Sequence, residues 1–90
     1  MATWEERLGK RVRLMRRVRD LTQEELAADV GVHQSDVSRW ENAEGPMGFK
    51  DAIRVARNFQ CPVAVLDPDV HLPVEYLMPE GGPVSATGAD

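Results

Sequence analysis

The chain has 90 residues, which is room for one domain, so a two-domain enzyme or a sensor with a separate ligand domain is excluded. Apolar residues make up 42% of it, enough for one small core. The formal net charge is −4, but all eleven lysines and arginines lie between Arg7 and Arg57. Residues 1–60 hold these eleven cations and ten anions, a net charge of +1, whereas residues 61–90 hold five anions and no cation. The chain is thus a near-neutral, locally basic body with an acidic tail, and its negative total does not exclude nucleic acid as a partner.

Several other classes of protein are excluded by composition. Cys61 is the only cysteine, so no intrachain disulfide or thiolate cluster for zinc can form, which fits a reducing compartment. His33 and His71 lie in different segments, and we predict neither a metal site nor a cofactor. The longest apolar run, Val63–Leu66, is far shorter than the roughly 20 residues that cross a bilayer. The acidic N-terminus lacks the apolar stretch of a secretory signal, and we expect a soluble cytoplasmic protein.

A first helix is predicted over residues 4–19. Its apolar residues are Leu8, Val12, Met15 and Val18, spaced by four, three and three positions, and its basic residues fall mainly on the other faces. Asp20 ends the pattern. The basic run from Lys10 to Arg19 is more often a solvated face than a binding patch, so we expect at most one or two of its residues to reach a ligand.

A second helix has strong local start and stop signals. Thr22 is placed to cap the free amides, and Glu25, three residues later, completes a capping box. Leu21 and Leu26 flank the cap at the positions of a hydrophobic staple. Gly31 can adopt the left-handed conformation that ends a helix with a sharp turn.

Two more helices and a short turn follow. Val37 and Trp40 are the apolar positions of a third helix that begins just after Val32 and His33. Residues 44–48 form a loop by their glycines and proline. The apolar side of the fourth helix is formed by Phe49, Ala52, Ile53, Val55, Ala56 and Phe59. Pro62 can open a fifth short turn that ends at Leu66.

The segment 67–90 is a proline-rich acidic tail. Residues 80–90 are predicted to be disordered because they are rich in glycine and small or polar residues. Residues 70–78 are too apolar for a pure linker. They have three alternative roles: packing back on the body, pairing two protomers, or binding a partner protein.

Residues 23–42 form two short helices around a glycine turn, a candidate helix-turn-helix. Ala27 is small where the next helix must cross closely, and Gly31 makes the turn. The apolar residues that hold the pair against the body are Leu26, Val30, Val32, Val37 and Trp40. Together these requirements are far more specific than a lone glycine motif.

At this point residues 7–66 resemble the phage-repressor and Cro-type helix-turn-helix regulators, often called XRE-like. The stretches that carry the resemblance are LTQEELA from Leu21, Gly31 with Val32, and VSRWEN from Val37. The resemblance implies an all-α, lambda-repressor-like domain of four to five helices over residues 1–66. The departures are Asp20, Ala43 and Gln60, where the family usually has glycine, and His33 in place of a capping serine or threonine. They affect loop geometry and helix ends.

The resemblance also implies that the third helix enters the major groove of DNA with its N-terminal residues foremost. The positions that match base readers are His33, Gln34, Ser35 and Arg39. The positions that match phosphate contacts are Gln23, Asn42, Ser38 and Arg16. Arg16 and Glu41 also match a salt bridge that sets the orientation of the reading helix.

The chemistry of these side chains suits the implied roles. Arg39 can donate two parallel hydrogen bonds to guanine, and Gln34 can pair bidentately with adenine. Asp36 would repel phosphate, so we expect it to cap the amide near His33 instead and to bias against some bases. Taken singly, each of these polar residues is ordinary helix surface; the matched framework favours DNA contact.

We therefore predict a sequence-specific regulator of transcription that binds double-stranded DNA, a repressor acting as a homodimer on a two-fold operator. Catalysis is not expected, because the carboxylates of the second helix have evident capping and surface roles and the two histidines are isolated. The alternative function is a protein-interaction module, antitoxin-like or a polymerase-binding adaptor, that acts through residues 70–78.

Overall fold

The structure, a computed structural model, describes residues 1–78. The four helices are α1 (Trp4–Arg17), α2 (Gln23–Val30), α3 (Gln34–Glu41) and α4 (Phe49–Phe59). Two 3₁₀ turns follow at Val63–Leu66 and Val74–Leu77, and the described part of the chain contains no strand. None of its helices has the length and apolarity that a membrane span requires. Residues 80–90, for which disorder was predicted, lie outside the described residues.

Local capping signals fix the starts of the first two helices. The predicted capping box of α2 is present: the Thr22 hydroxyl accepts the Glu25 amide at 3.0 Å, and the Glu25 carboxylate accepts the Thr22 amide at 2.9 Å. An equivalent pair that the sequence pattern did not bring out opens α1, where Thr3 and Glu6 exchange hydrogen bonds of 3.0 and 2.8 Å. Each box satisfies two amides that a helix start leaves free.

The connections depend on four residues in the left-handed backbone region. Gly31 ends α2 with φ +79°, as predicted. The other three are Asp20, Ala43 and Gln60, with φ from +56° to +58°. These are the positions at which the family usually has glycine. The turns thus keep a glycine-like geometry, although a residue with a Cβ atom is strained there.

The core lies where all four helices meet. Its buried apolar residues are Val12, Met15, Leu26, Ala27, Val30, Val37, Trp40, Val55, Ala56, Phe59, Val65 and Leu66. The first 3₁₀ turn packs against α4 and adds Val65 and Leu66 to the core, in agreement with the predicted fifth turn. Two residues of the predicted apolar side differ: Phe49, the first residue of α4, is 74% exposed, and Ile53 is half-buried and is not part of the core.

A close backbone contact sets the position of α1 on α3. Gly9 is buried, and a Cβ atom added there would lie 2.6 Å from the carbonyl oxygens of both Trp40 and Glu41. Only glycine lets the two helices approach this closely. The sequence pattern gave no indication of this role.

Part of the tail contacts the body; for residues 70–78 this is one of the three predicted alternatives, and pairing of protomers or binding of a partner stays a prediction. The Arg11 guanidinium donates to the carbonyl oxygens of Val65, Asp67 and Val70 at 2.7–3.0 Å. Farther along, Leu72 and Tyr76 are partly buried against the core. Ordered contacts thus continue beyond residue 66, where the predicted domain ends.

Candidate nucleic-acid interface

The first turn of α3 is the most exposed part of the helix-turn-helix. His33, Gln34 and Ser35 are all exposed, whereas Val37 and Trp40 on the opposite side are buried in the core. Because residues three and four apart share a helix face, the buried pair fixes the helix and leaves its N-terminal residues facing solvent. Three of the four predicted base readers therefore lie together at the accessible end of α3.

Asp36 has the capping role expected for it. Its Oδ2 atom accepts the backbone N–H of His33 at 3.0 Å. The His33 imidazole itself is 92% exposed and caps no amide of the helix. His33 thus departs from the usual capping serine or threonine, and the Asp36 carboxylate supplies only the other half of the capping box. The Asp36 amide donates to the His33 carbonyl oxygen at 2.9 Å instead of to a capping hydroxyl.

Arg39, the fourth predicted base reader, lies one turn farther along α3 and pairs with Asp36. Its Nη1 atom is 3.1 Å from Asp36 Oδ1, and the Arg39 side chain is 53% exposed. Asp36 therefore contacts both the His33 amide at the start of α3 and the Arg39 guanidinium on the exposed side of that helix.

A hydrogen-bonded chain connects the two helices of the motif. Gln34 Nε2 donates to Gln23 Oε1 at 2.6 Å, and Gln23 Nε2 donates to Glu41 Oε1 at 3.0 Å. The carboxylate can only accept, so it sets the Gln23 amide with its oxygen toward Gln34. Gln34 must then donate to Gln23, which leaves its own oxygen and one N–H for another partner. That donor and acceptor pair is what recognition of adenine requires.

Glu41 is the buried centre of this network. Arg16 holds its carboxylate with two hydrogen bonds, from Nε at 2.7 Å and from Nη2 at 3.0 Å. The Glu41 side chain is completely buried, and the Arg16 side chain is 9% exposed. Burial acts to raise the pKa of Glu41, but hydrogen bonds from Arg16, Gln23 and Arg13 outweigh it, so the pKa is lowered. Glu41 therefore stays ionised at neutral pH.

Arg16 was given two roles, and its surroundings favour one of them. Its third nitrogen, Nη1, donates to the backbone oxygen of Leu21 at 2.7 Å, so each nitrogen of the guanidinium has a partner inside the protein. Three of its five N–H groups are thus used, and the side chain is only 9% exposed, so little of it is accessible to a phosphate. We carry Arg16 forward as the partner of Glu41 and not as a phosphate contact.

Arg13 belongs to this site, although the sequence singled out only its neighbour Arg16 from the basic run. Its Nε atom is 3.3 Å from Glu41 Oε1, and its Nη2 atom donates to Asn42 Oδ1 at 3.0 Å. Asn42 in turn donates to the Ser38 hydroxyl at 3.4 Å. The available signal was spacing, because Arg13 and Arg16 are three apart and share a face of α1.

The predicted site residues thus form two groups joined through Glu41. At the N-terminal end of α3, Gln34 contacts Gln23. At its C-terminal end, Ser38 contacts Asn42, which Arg13 connects to Glu41. The arrangement offers amides, hydroxyls and the exposed Arg39 guanidinium, groups that bind base edges and phosphate oxygens.

Comparison with known proteins identifies this arrangement. A sequence model of a helix-turn-helix family matches residues 12–66, more than half of the chain. The chain belongs to that family. Among solved structures, it is similar to the DNA-binding domain (residues 1–76) of the P22 c2 repressor, determined by nuclear magnetic resonance in solution. The TM-score is 0.67 at 24% identity, over 79% of this chain and 92% of that one. No curated protein matches the sequence.

These findings confirm the predicted fold and family of this helix-turn-helix protein: an all-α, lambda-repressor-like domain of the phage-repressor and Cro type. The family assignment rests on the sequence match, and the solved structure supports the fold. The family match assigns the protein to the helix-turn-helix regulators of transcription that bind DNA.

Proposed function

We propose that the protein recognises a specific sequence in double-stranded DNA through the exposed face of α3 and acts as a repressor of transcription. The observation that carries the proposal is that the two long polar side chains on this face of α3, Gln34 and Arg39, are each held by a neighbouring side chain. Gln34 is held by Gln23, and Arg39 is held by Asp36. Side chains fixed before binding lose less conformational entropy when they meet base edges.

In the proposed complex, Arg39 reads guanine, Gln34 reads adenine, and His33 and Ser35 contact bases at the entrance of α3. Gln23 at the start of α2, with Ser38 and Asn42 near the end of α3, contacts phosphates. The buried pair of Arg16 and Glu41 sets the orientation of the reading helix, since it joins α1 to the last residue of α3.

The length of α3 favours binding as a homodimer. Its eight residues span about 12 Å, so one protomer covers only a few base pairs. A second protomer on a half-site about 34 Å away, one turn of the DNA helix, doubles the contacts. We therefore propose a two-fold operator. Repression is the simplest outcome, because a protein bound over a promoter excludes the polymerase without any further domain.

Selection of bound duplexes from a random pool, with the full chain, tests this function. We expect enrichment of a palindrome with guanine and adenine in each half-site, and we expect Arg39→Ala to lose the preference at one base pair of each half-site. Arg57→Ala, which removes an exposed cation on α4, is the control for lost charge and should select the same sequence. A pool that shows no enriched sequence would contradict sequence-specific binding.

A further inference from the structure

Asp36 is an acidic residue on the surface that the proposed function places against DNA, where a carboxylate repels phosphate. Both of its oxygens are in use: Oδ2 accepts the His33 amide at 3.0 Å, and Oδ1 lies 3.1 Å from Nη1 of Arg39. The Asp36 side chain is 34% exposed. An ion pair this exposed adds little to stability, so what it changes is the geometry of Arg39.

The contact with Asp36 leaves available the edge of the Arg39 guanidinium that Nε and Nη2 form, which is the edge that would bind a base. Arg16 shows how that edge works in this protein, because it holds both oxygens of Glu41 with Nε and Nη2. Asp36 contacts the other nitrogen, Nη1, and within residues 1–78 it is the only hydrogen-bond partner of the Arg39 guanidinium. Two parallel donors therefore remain for a pair of acceptors such as guanine O6 and N7.

The hydrogen bond from the His33 amide fixes the position of the Asp36 carboxylate. A side chain that only paired with Arg39 would move with it, whereas Asp36 is held to the first turn of α3 by a backbone amide. The contact thus restrains the long arginine side chain, and the negative charge beside it disfavours capture of Arg39 by a phosphate.

We propose that Asp36 is a positioning residue that sets base specificity through Arg39, at the cost of some affinity for DNA in general. The proposal rests on the function proposed above. It predicts that an uncharged residue at position 36 strengthens binding to unrelated DNA and weakens the choice of guanine.

The test measures binding of the full chain to three duplexes: the selected operator, the operator with the base pair assigned to Arg39 substituted, and random sequence. A good bidentate pair discriminates by about 5- to 150-fold. We expect Asp36→Asn to reduce this ratio by about threefold or more and to raise affinity for random sequence. Asp36→Gln is a second variant, because glutamine at this position also completes a capping box. Melting curves establish that both variants fold.

Two controls separate positioning from loss of charge. Glu44→Gln removes the same charge from an exposed residue just after α3 and should raise affinity for all duplexes without changing the ratio. In an Arg39→Ala background, Asp36→Asn should leave the ratio unchanged, because a residue that acts through Arg39 has no effect without it.

The inference is overturned if Asp36→Asn changes all three affinities by one factor, or if its effect on the ratio persists without Arg39. It is also overturned if Arg39→Ala leaves the wild-type ratio intact. A wild-type protein that prefers no sequence is a different result and counts against the proposed function itself.

Discussion

Substituting Gly9 with alanine tests the contact that holds α1 against the end of α3. The added Cβ atom would lie 2.6 Å from two carbonyl oxygens and 2.9 Å from the carbonyl carbon of Glu41. All three atoms belong to backbone, so no side chain can rotate away and a helix must shift. Overpacking of this kind costs about 1–3 kcal/mol, and we expect the upper part of that range because the obstacle is rigid.

Helix propensity opposes this loss. Alanine is about 1 kcal/mol better than glycine inside a helix, so α1 considered alone would be stabilised. The expected net effect is a loss of about 1–2 kcal/mol in the free energy of unfolding. For a domain of this size, that corresponds to a melting temperature lower by roughly 5–15 °C.

Thermal and urea unfolding followed by circular dichroism measure the change. Gly45→Ala is the matched control, because a Cβ atom there meets only the Arg39 side chain at ordinary distances of 3.6 and 3.7 Å. We expect the control to stay within about 0.5 kcal/mol of the wild type. If Gly9→Ala were as stable as the wild type or more so, the close approach of α1 to α3 would be refuted.

Three further predictions concern strain, buried charge and DNA contact. Ala43→Gly and Gln60→Gly should each stabilise the fold by about 1 kcal/mol in urea unfolding, because both positions have a positive φ; a loss of stability would contradict strain there. Glu41→Gln should cost about 3–5 kcal/mol by leaving Arg16 buried without its partner. Because the pKa of Glu41 is lowered on folding, its contribution is full above the ordinary carboxyl pKa and is lost as pH falls through the lowered value. As the pH falls, Glu41→Gln should therefore lose less of its free energy of unfolding than the wild type loses. If both proteins lost the same amount, this contribution of Glu41 would be refuted. Gln23→Ala should weaken binding to random duplexes through the lost phosphate contact, and to the operator by a larger factor because Gln34 also loses the partner that holds it. Arg39→Ala should cost about 1–3 kcal/mol on the operator alone. Equal losses for Arg39→Ala on both duplexes would exclude its reading role.

The helices could be predicted from sequence wherever the determining signal is local. The capping box of Thr22 and Glu25 and the left-handed Gly31 act over a few residues, and the structure has both as expected. The role of Gly9 was not predictable in this way. Nothing in its own helix distinguishes it, and its partners are carbonyl groups about 30 residues away in sequence.

The candidate site shows the same division. The resemblance indicated which residues of α3 face outward. The helical spacing of Val37 and Trp40 agrees with it, because these two residues fix the buried side of the helix. The resemblance did not indicate that Arg13 contacts both Glu41 and Asn42, since six basic residues of α1 look alike in sequence and only packing distinguishes them. For Asp36 the sequence indicated capping and a bias against some bases, but not the contact of its second oxygen with Arg39.

The charge of −4 can now be related to how this protein would hold DNA. Many of its cations are occupied by its own acceptors: Arg7 by Asp69, Arg11 by three carbonyls, Arg16 by Glu41, and Arg19 by the backbone of Met15 and Phe59. Cations engaged in this way hold the fold together and have little capacity left for phosphates. The part of the affinity for DNA that comes from neutralising phosphates and releasing their counterions should then be small. We therefore expect affinity to come mainly from a few directed contacts, so that the supports of Gln34 and Arg39 should matter more here than in a strongly basic domain.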